Sequence, residues 1–208
     1  MSPRRERAEP RLDPATKAFL EGRGLVYGHP LFEPLLRRVH VVREKNNYCP
    51  ADAWAIVLEN GMIHAHPTRR GEPEEWAYAL GHCLLHLAFG HFRVGEKSLD
   101  WNAACDVAVT RFLADLKFGR CPPEMLRDLK DVPLGDEERI FRWLRDGGSR
   151  GDFSADMYWT PQPMPKHQQE DWTRAFAAGL VASVTSAVRV AGGYEPKLGS
   201  TTESLSTA

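Results

Sequence analysis

Gly81-His82-Cys83-Leu84-Leu85-His86, continuing through Gly90-His91 to Trp101-Asn102-Ala103-Ala104-Cys105-Asp106, is the stretch that decides how this chain is read. Side chains four residues apart on an α-helix lie on one face, so His82 and His86 can offer two imidazole nitrogens to one metal ion. A helix over residues 73–89 is expected around them. Pro73 suits the first helical position, Glu74 and Glu75 favour the positive end of the helix dipole, and Gly90 supplies a natural stop. Glu75, Tyr78, Ala79, His82, His86 and Phe89 share one face of that helix. Trp76, Leu80, Leu84 and Leu87 form an apolar stripe directed at a core. His91 lies beyond the break and reaches the same ion only if the chain reverses at Gly90.

A second helix is predicted over 99–116, with Asn102, Asp106, Thr110 and Leu113 on one face and Asp100 as its cap. If the two helices run antiparallel across the short connection 93–98, Asp106 faces His82 and His86. Two imidazoles and a carboxylate, with a fourth position left to water, make an ordinary zinc shell. Asn102 and Thr110, one turn to either side, are placed to orient that carboxylate. A plainer reading stands beside this one. The chain has eight histidines, and an i, i+4 pair also arises on an exposed polar face. His91 is then either a further ligand or a helix-end histidine near terminal carbonyls.

Working outward, residues 1–13 read as a disordered basic arm, with four arginines, two glutamates and two prolines in the first eleven positions. A helix over 14–21 is expected to close at Gly22 and Gly24, and a second over 30–42 carries Leu31, Leu35 and Val39 at helical spacing. Residues 53–58 read as a buried strand, Asn60-Gly61 as a type I′ turn, and 62–66 as the returning strand, stopped by Pro67. His64 and His66 point to one side of that strand, either to the surface or to a substrate or metal. Further on, 136–145 is a short helix burying Ile140, Phe141 and Leu144. Residues 147–166 form a surface loop in which Met157-Tyr158-Trp159 can pack against the body. Residues 168–191 form a helix with Trp172, Phe176 and Leu180 spaced by four, ending at Gly192-Gly193 before a polar tail. The predicted organisation is an arm (1–13), a body (14–146), a surface loop (147–167) and a C-terminal helix with its tail (168–208). The fold class is α+β, mostly helical, with a small hairpin beside the helix that carries the histidines.

Composition narrows the function classes. A net charge of −1 gives no field that favours nucleic acid or an anionic membrane. No apolar run approaches the roughly 20 residues that a membrane span needs. Cys49, Cys83, Cys105 and Cys121 are scattered without a CxxC pair, which predicts a reducing, cytoplasmic setting rather than a disulfide framework.

The order His29-Pro30-Leu31-Phe32, the hairpin with Asn60-Gly61, the His-x-x-x-His helix with Gly90-His91, and then Trp101-Asn102-x-Ala-Cys-Asp106 resembles a bacterial family of zincin-type metallopeptidases. The likeness covers residues 30–113 and, loosely, 184–199. It implies a zincin-like fold, Zn2+ as cofactor, and His82, His86, Asp106 and His91 as metal ligands. It also implies a protein or peptide partner and, by analogy, a von Willebrand factor A-like domain or an AAA-type ATPase alongside. No such A-like domain fits in 208 residues, so the resemblance implies one that is missing or was cut away.

Two positions depart from the family pattern. The family has Glu where this chain has Cys83, and Asn where it has Thr110. That Glu is the general base of the HExxH motif, and a positioned base contributes ~10² to 10⁴ in rate. A thiol is shorter and titrates near 8.5, so Cys83 holds the catalytic position without its chemistry. As a nucleophile partnered by His86 it would lack an orienting third group. As a small apolar side chain it needs no further explanation. Glu75 is another carboxylate that could substitute as a base. The expectation is a zinc-binding metallopeptidase-like protein, catalytically impaired and acting as a scaffold. The alternative is an active zinc-dependent peptidase using Cys83 or another base, and a third reading has no metal at all.

Overall fold

The computed structural model describes residues 12–192, apart from 46, 95–96, 152–154 and 162–164. In chain order the elements are α1 (Pro14–Gly28), α2 (Glu33–Leu36), β1 (His40–Val42), β2 (Ala55–Leu58), β3 (Met62–Ala65), α3 (Pro73–Phe89), α4 (Leu99–Leu116), α5 (Glu137–Arg145), β4 (Met157–Tyr158) and α6 (Lys166–Gly192). The class is α+β. The four strands form one mixed sheet in the order β1-β3-β2-β4, with β2 and β3 antiparallel and both outer strands parallel to their neighbours.

Helix α3 is the axis of the molecule, because α1, α4, α6 and the sheet all pack against it. The expected apolar stripe is fully buried at Trp76, Leu80, Leu84 and Leu87, each contributing about 1.5–3 kcal/mol of burial. The opposite face is buried as well, so every residue from Trp76 to Ala88 is inside. Its N-terminus is a capping box, in which Glu75 reaches back to the backbone N–H of Glu72, and Gly90 ends it in the left-handed conformation at φ 74°. Val57, Ile63 and Met157 face this core from the sheet. Ile56 and His64 alternate to the other side.

Several expectations need correction. Helix α1 runs on to Gly28 through both glycines that were expected to end it. Gly22 serves packing instead: a Cβ there would lie 2.5 Å from the Pro73 carbonyl oxygen and from Trp76 Cβ, so its bare backbone lets α1 approach α3. The predicted helix over 30–42 is only the single turn α2, after which Val41 and Val42 enter strand β1. Their β-branched side chains suit a strand, and pairing with β3 overrides the helical spacing of Leu31, Leu35 and Val39. The β2–β3 hairpin forms as predicted, but its turn differs. Ile56 pairs with His64 and Val57 with Ile63, which leaves a three-residue loop in which Gly61 alone has positive φ (83°). Asn60 is not left-handed, as a type I′ turn would need. Its Oδ1 accepts from the Met62 N–H instead, in a turn closed by the left-handed glycine. Ser98 rather than Asp100 caps α4, accepting from the Trp101 N–H. Residues 147–166 are not all surface loop, since β4 and the buried Asp156 lie within them. Helix α6 buries Trp172 and leaves Leu180 exposed. The predicted N-terminal arm and C-terminal tail lie outside the described residues, except Leu12 and Asp13, the latter capping α1.

Gly22 and Gly24 provide a paired test of this packing. Gly22→Ala is expected to lower the unfolding free energy by about 1–3 kcal/mol through overpacking. Gly24→Ala, with nothing within 4 Å of the new Cβ, should raise it by about 0.5–1 kcal/mol. Urea unfolding midpoints check both, and a Gly22→Ala protein as stable as its parent would contradict the close α1–α3 contact.

Candidate metal centre

Helices α3 and α4 lie against each other, linked by Gly90 and a 3-10 turn over His91–Val94. This brings Asp106 Oδ1 to 2.6 Å from His82 Nε2. A second carboxylate arrives from elsewhere. Asp156, the residue before β4, places Oδ2 3.0 Å from His82 Nε2 and 3.4 Å from His86 Nε2. One ligand atom from each of His82, His86, Asp106 and Asp156 lies within 4.8 Å of all the others, and all four residues are buried.

The donor set fits a cation. Ligand atoms around a tetrahedral ion with bonds of about 2.1 Å sit roughly 3.4 Å apart; the three close separations here run from 2.6 to 3.4 Å, and every pair is within 4.8 Å. The Nε2 atoms of His82 and His86 and Oδ1 of Asp156 have no hydrogen-bond partner of acceptable geometry. A buried polar atom left in that state costs about 1–3 kcal/mol. Convergent imidazole nitrogens and carboxylate oxygens are the donor types that a transition-metal ion takes. The group can therefore hold a metal.

Each carboxylate is held by a different device. Arg127 Nε donates to Asp106 Oδ2 at 2.8 Å, which leaves Oδ1 for the group. Asp156 is placed by its backbone. Its carbonyl accepts from the Val57 N–H (2.8 Å), the Tyr158 carbonyl accepts from the Glu59 N–H (3.0 Å), and Asn102 Nδ2 donates to the carbonyl of Met157 between them (3.2 Å). Asn102 thus supports the site by pinning the strand beside it rather than by touching Asp106. Thr110 is buried one turn beyond Asp106.

The other sequence-predicted residues fall as follows. His91 is buried beside the group but contributes no atom to it; its Nδ1 lies 2.8 Å from His86 Nδ1, on the side away from the cluster of ligand atoms. Cys83 is buried in the main core, and burial first, then the charges of Asp156 and Asp106, hold its thiol well above the ordinary range. It is a neutral thiol at pH 7. Glu75 is committed to the helix cap and to Arg120 at 3.1 Å. His64 is buried rather than at the surface, stacked edge-on with Tyr48, while His66 accepts from the N–H groups of Thr68 and Arg69. Neither belongs to the cluster. Cys49, Cys83, Cys105 and Cys121 are all free thiols. Among the described residues no helix is long and apolar enough to cross a membrane.

Asp156 is the residue that sequence reasoning missed. A two-residue strand gives no periodicity to detect, and the stretch around it is rich in glycine, serine and proline. The one available signal was Met157-Tyr158-Trp159, an apolar run in a polar loop with an acid directly ahead of it. Comparison of the chain with family models, with curated proteins and with solved structures gives no match.

Charge in the cluster predicts a pH dependence of the metal-free protein. Burial works hardest against a charge on His82, yet the combined pull of Asp106 and Asp156 pushes its pKa from 6.5 up to about 9. A raised folded-state value stabilises fully below 6.5, and that contribution is lost as pH rises through 9. His91 behaves oppositely. Burial, then His86, hold it well below 6.5, so unfolding takes up a proton there and stability falls as pH drops below that value. Asp156 is burdened by burial but held low by His86 and His82, so its contribution is lost in acid. The metal-free protein is expected to melt highest near pH 6.5 and lower at pH 9. Melting curves with chelator across that range check this, and a melting temperature that climbs from pH 6.5 to 9 would contradict it.

Proposed function

We propose that this chain is a metal-binding scaffold: a zincin-like body in which His82, His86, Asp106 and Asp156 hold one Zn2+ as a closed structural centre. It presents its surface to a protein or peptide partner and does not hydrolyse peptides. The observation that carries this reading is the fourth protein ligand. Catalytic zinc sites keep a coordination position for water, whereas structural sites fill all four from the protein, and Asp156 adds a fourth protein donor beside His82 and His86. Two imidazole nitrogens and two carboxylate oxygens suit zinc better than calcium or magnesium, which take more oxygen ligands.

Two further observations agree. Cys83, in the general-base position, is a buried neutral thiol packed among apolar side chains. Strand β4 occupies the edge of β2 nearest the cluster, and Asn102 covers the far side of β4. An extended substrate would find no open strand edge there to pair with. The ion's contribution would be to folding. It would tie α3, α4 and the segment carrying Asp156 into one unit, and binding energy of that kind is folding energy.

Elemental analysis should find about one zinc per chain, and none in His86→Ala. Removing the ion with a chelator should lower the melting temperature by about 5–10 °C, the shift expected when a ligand at roughly a hundred times its Kd is withdrawn. The parent should leave unfolded protein substrates intact. Metal-free protein after purification without chelator would reject the zinc centre. Proteolysis by the parent that disappears in His86→Ala would reject the closed, non-catalytic reading.

A further inference from the structure

His86 and His91 meet through the same kind of atom, with one Nδ1 2.8 Å from the other. Both rings are buried. Two nitrogens at that separation form a hydrogen bond only if one carries the proton and the other offers a lone pair. A neutral imidazole has one N–H and one lone pair, so the direction of this bond decides what each Nε2 can do. If His86 donates, its remaining lone pair is on Nε2, free for a metal. His91 then accepts at Nδ1, keeps its proton on Nε2, a buried atom with no hydrogen-bond partner among the described residues, and has no lone pair left. If His91 donates, the assignments reverse and His86 cannot bind metal. While the bond stands, the two histidines exclude each other as ligands.

The surroundings choose between the two directions. His86 Nε2 lies 3.4 Å from Asp156 Oδ2 and belongs to the convergent group, to which His91 contributes nothing. His91 is also held from behind. Trp101 Nε1 donates to its carbonyl at 3.0 Å, and its ring packs edge-on against Phe89 and Trp101. The geometry points to His91 as a positioning residue that accepts the Nδ1–H of His86, thereby fixing the tautomer that aims His86 Nε2 at the ion, and not as a third imidazole ligand. This rests on the zinc-binding reading above and departs from the family resemblance, in which His91 would bind the metal itself. Metal-bound histidines commonly give their second N–H to a carboxylate or carbonyl; here a second imidazole takes that part.

The test uses the zinc-loaded full chain. X-ray absorption is expected to find two imidazoles on zinc in the parent. Nitrogen-15 correlation spectra should show His86 with a protonated Nδ1 and a metal-bound Nε2, and His91 unligated with its proton on Nε2. His91→Leu should weaken zinc binding by about 10–100-fold with two imidazoles still on the metal, and His91→Gln, whose side-chain oxygen can accept the same proton, should recover most of that loss. Three imidazoles in the parent, a metal-bound nitrogen on His91, or one imidazole lost in His91→Leu would overturn the inference alone. A parent that binds no zinc would overturn the metal reading with it. If His91→Leu does not fold, the parent's absorption and nitrogen spectra still decide.

Discussion

Two carboxylates sit within reach of His82, a ring only 1% exposed. Taking an isolated ionised carboxylate out of water costs several kcal/mol even after relaxation, and a second one beside it raises that cost. Something positive must accompany them. Arg127 compensates Asp106, so a counter-charge for Asp156 has to come either from a proton on one of the two rings it approaches or from a cation between them. Those occupants compete, because a protonated imidazole cannot bind a metal. Much of the architecture follows from supplying that one positive charge in a dry place. The packed helices α3 and α4, the 3-10 turn after Gly90 and the docking of β4 all serve to surround it.

The complete burial of α3 explains how Cys83 fits. On a helix with a solvent-facing cleft, the position after the first histidine can carry a long acidic side chain that reaches a bound water. Here the same position packs in the main core among the side chains of a helix surrounded on every side. A glutamate would bring a third carboxylate into the dry cluster, whereas a thiol adds little polarity and fills less space. The cysteine and the fourth ligand are therefore consistent with each other. A site with all of its positions taken by protein has no attacking water for a base to activate.

The parts of this arrangement legible in the sequence were those with local signals. Pro73, the first-turn acids and Gly90 bounded α3 correctly, and the apolar periodicity of 99–116 bounded α4. His82, His86 and Asp106 could be placed together because each lies on a long periodic helix, where the face of a residue follows from its number. The failures were where tertiary packing overrode local preference. Gly22 and Gly24 looked like helix stops, yet one is needed for a close helix approach. Leu31, Leu35 and Val39 had helical spacing, yet strand pairing claimed the end of that segment. Asp156 had no periodic element to carry it, so only the pairing of β4 with β2 could reveal where it points.

That last dependence also runs the other way. A strand of two residues cannot hold itself to a sheet edge, since even an isolated hairpin is marginal in water. Strand β4 stays because Met157 is buried, because the backbone around it bonds to Val57, Glu59 and Asn102, and because Asp156 lies against His82 and His86. Without the cation proposed above, this carboxylate needs a proton donor; without the strand, the group of four loses one of its two carboxylates. Cys83 and Asp156 therefore sit on different segments, one on α3 and the other just before β4. Changing Cys83 would leave Asp156 in place, and displacing Asp156 would leave Cys83 packed in the core.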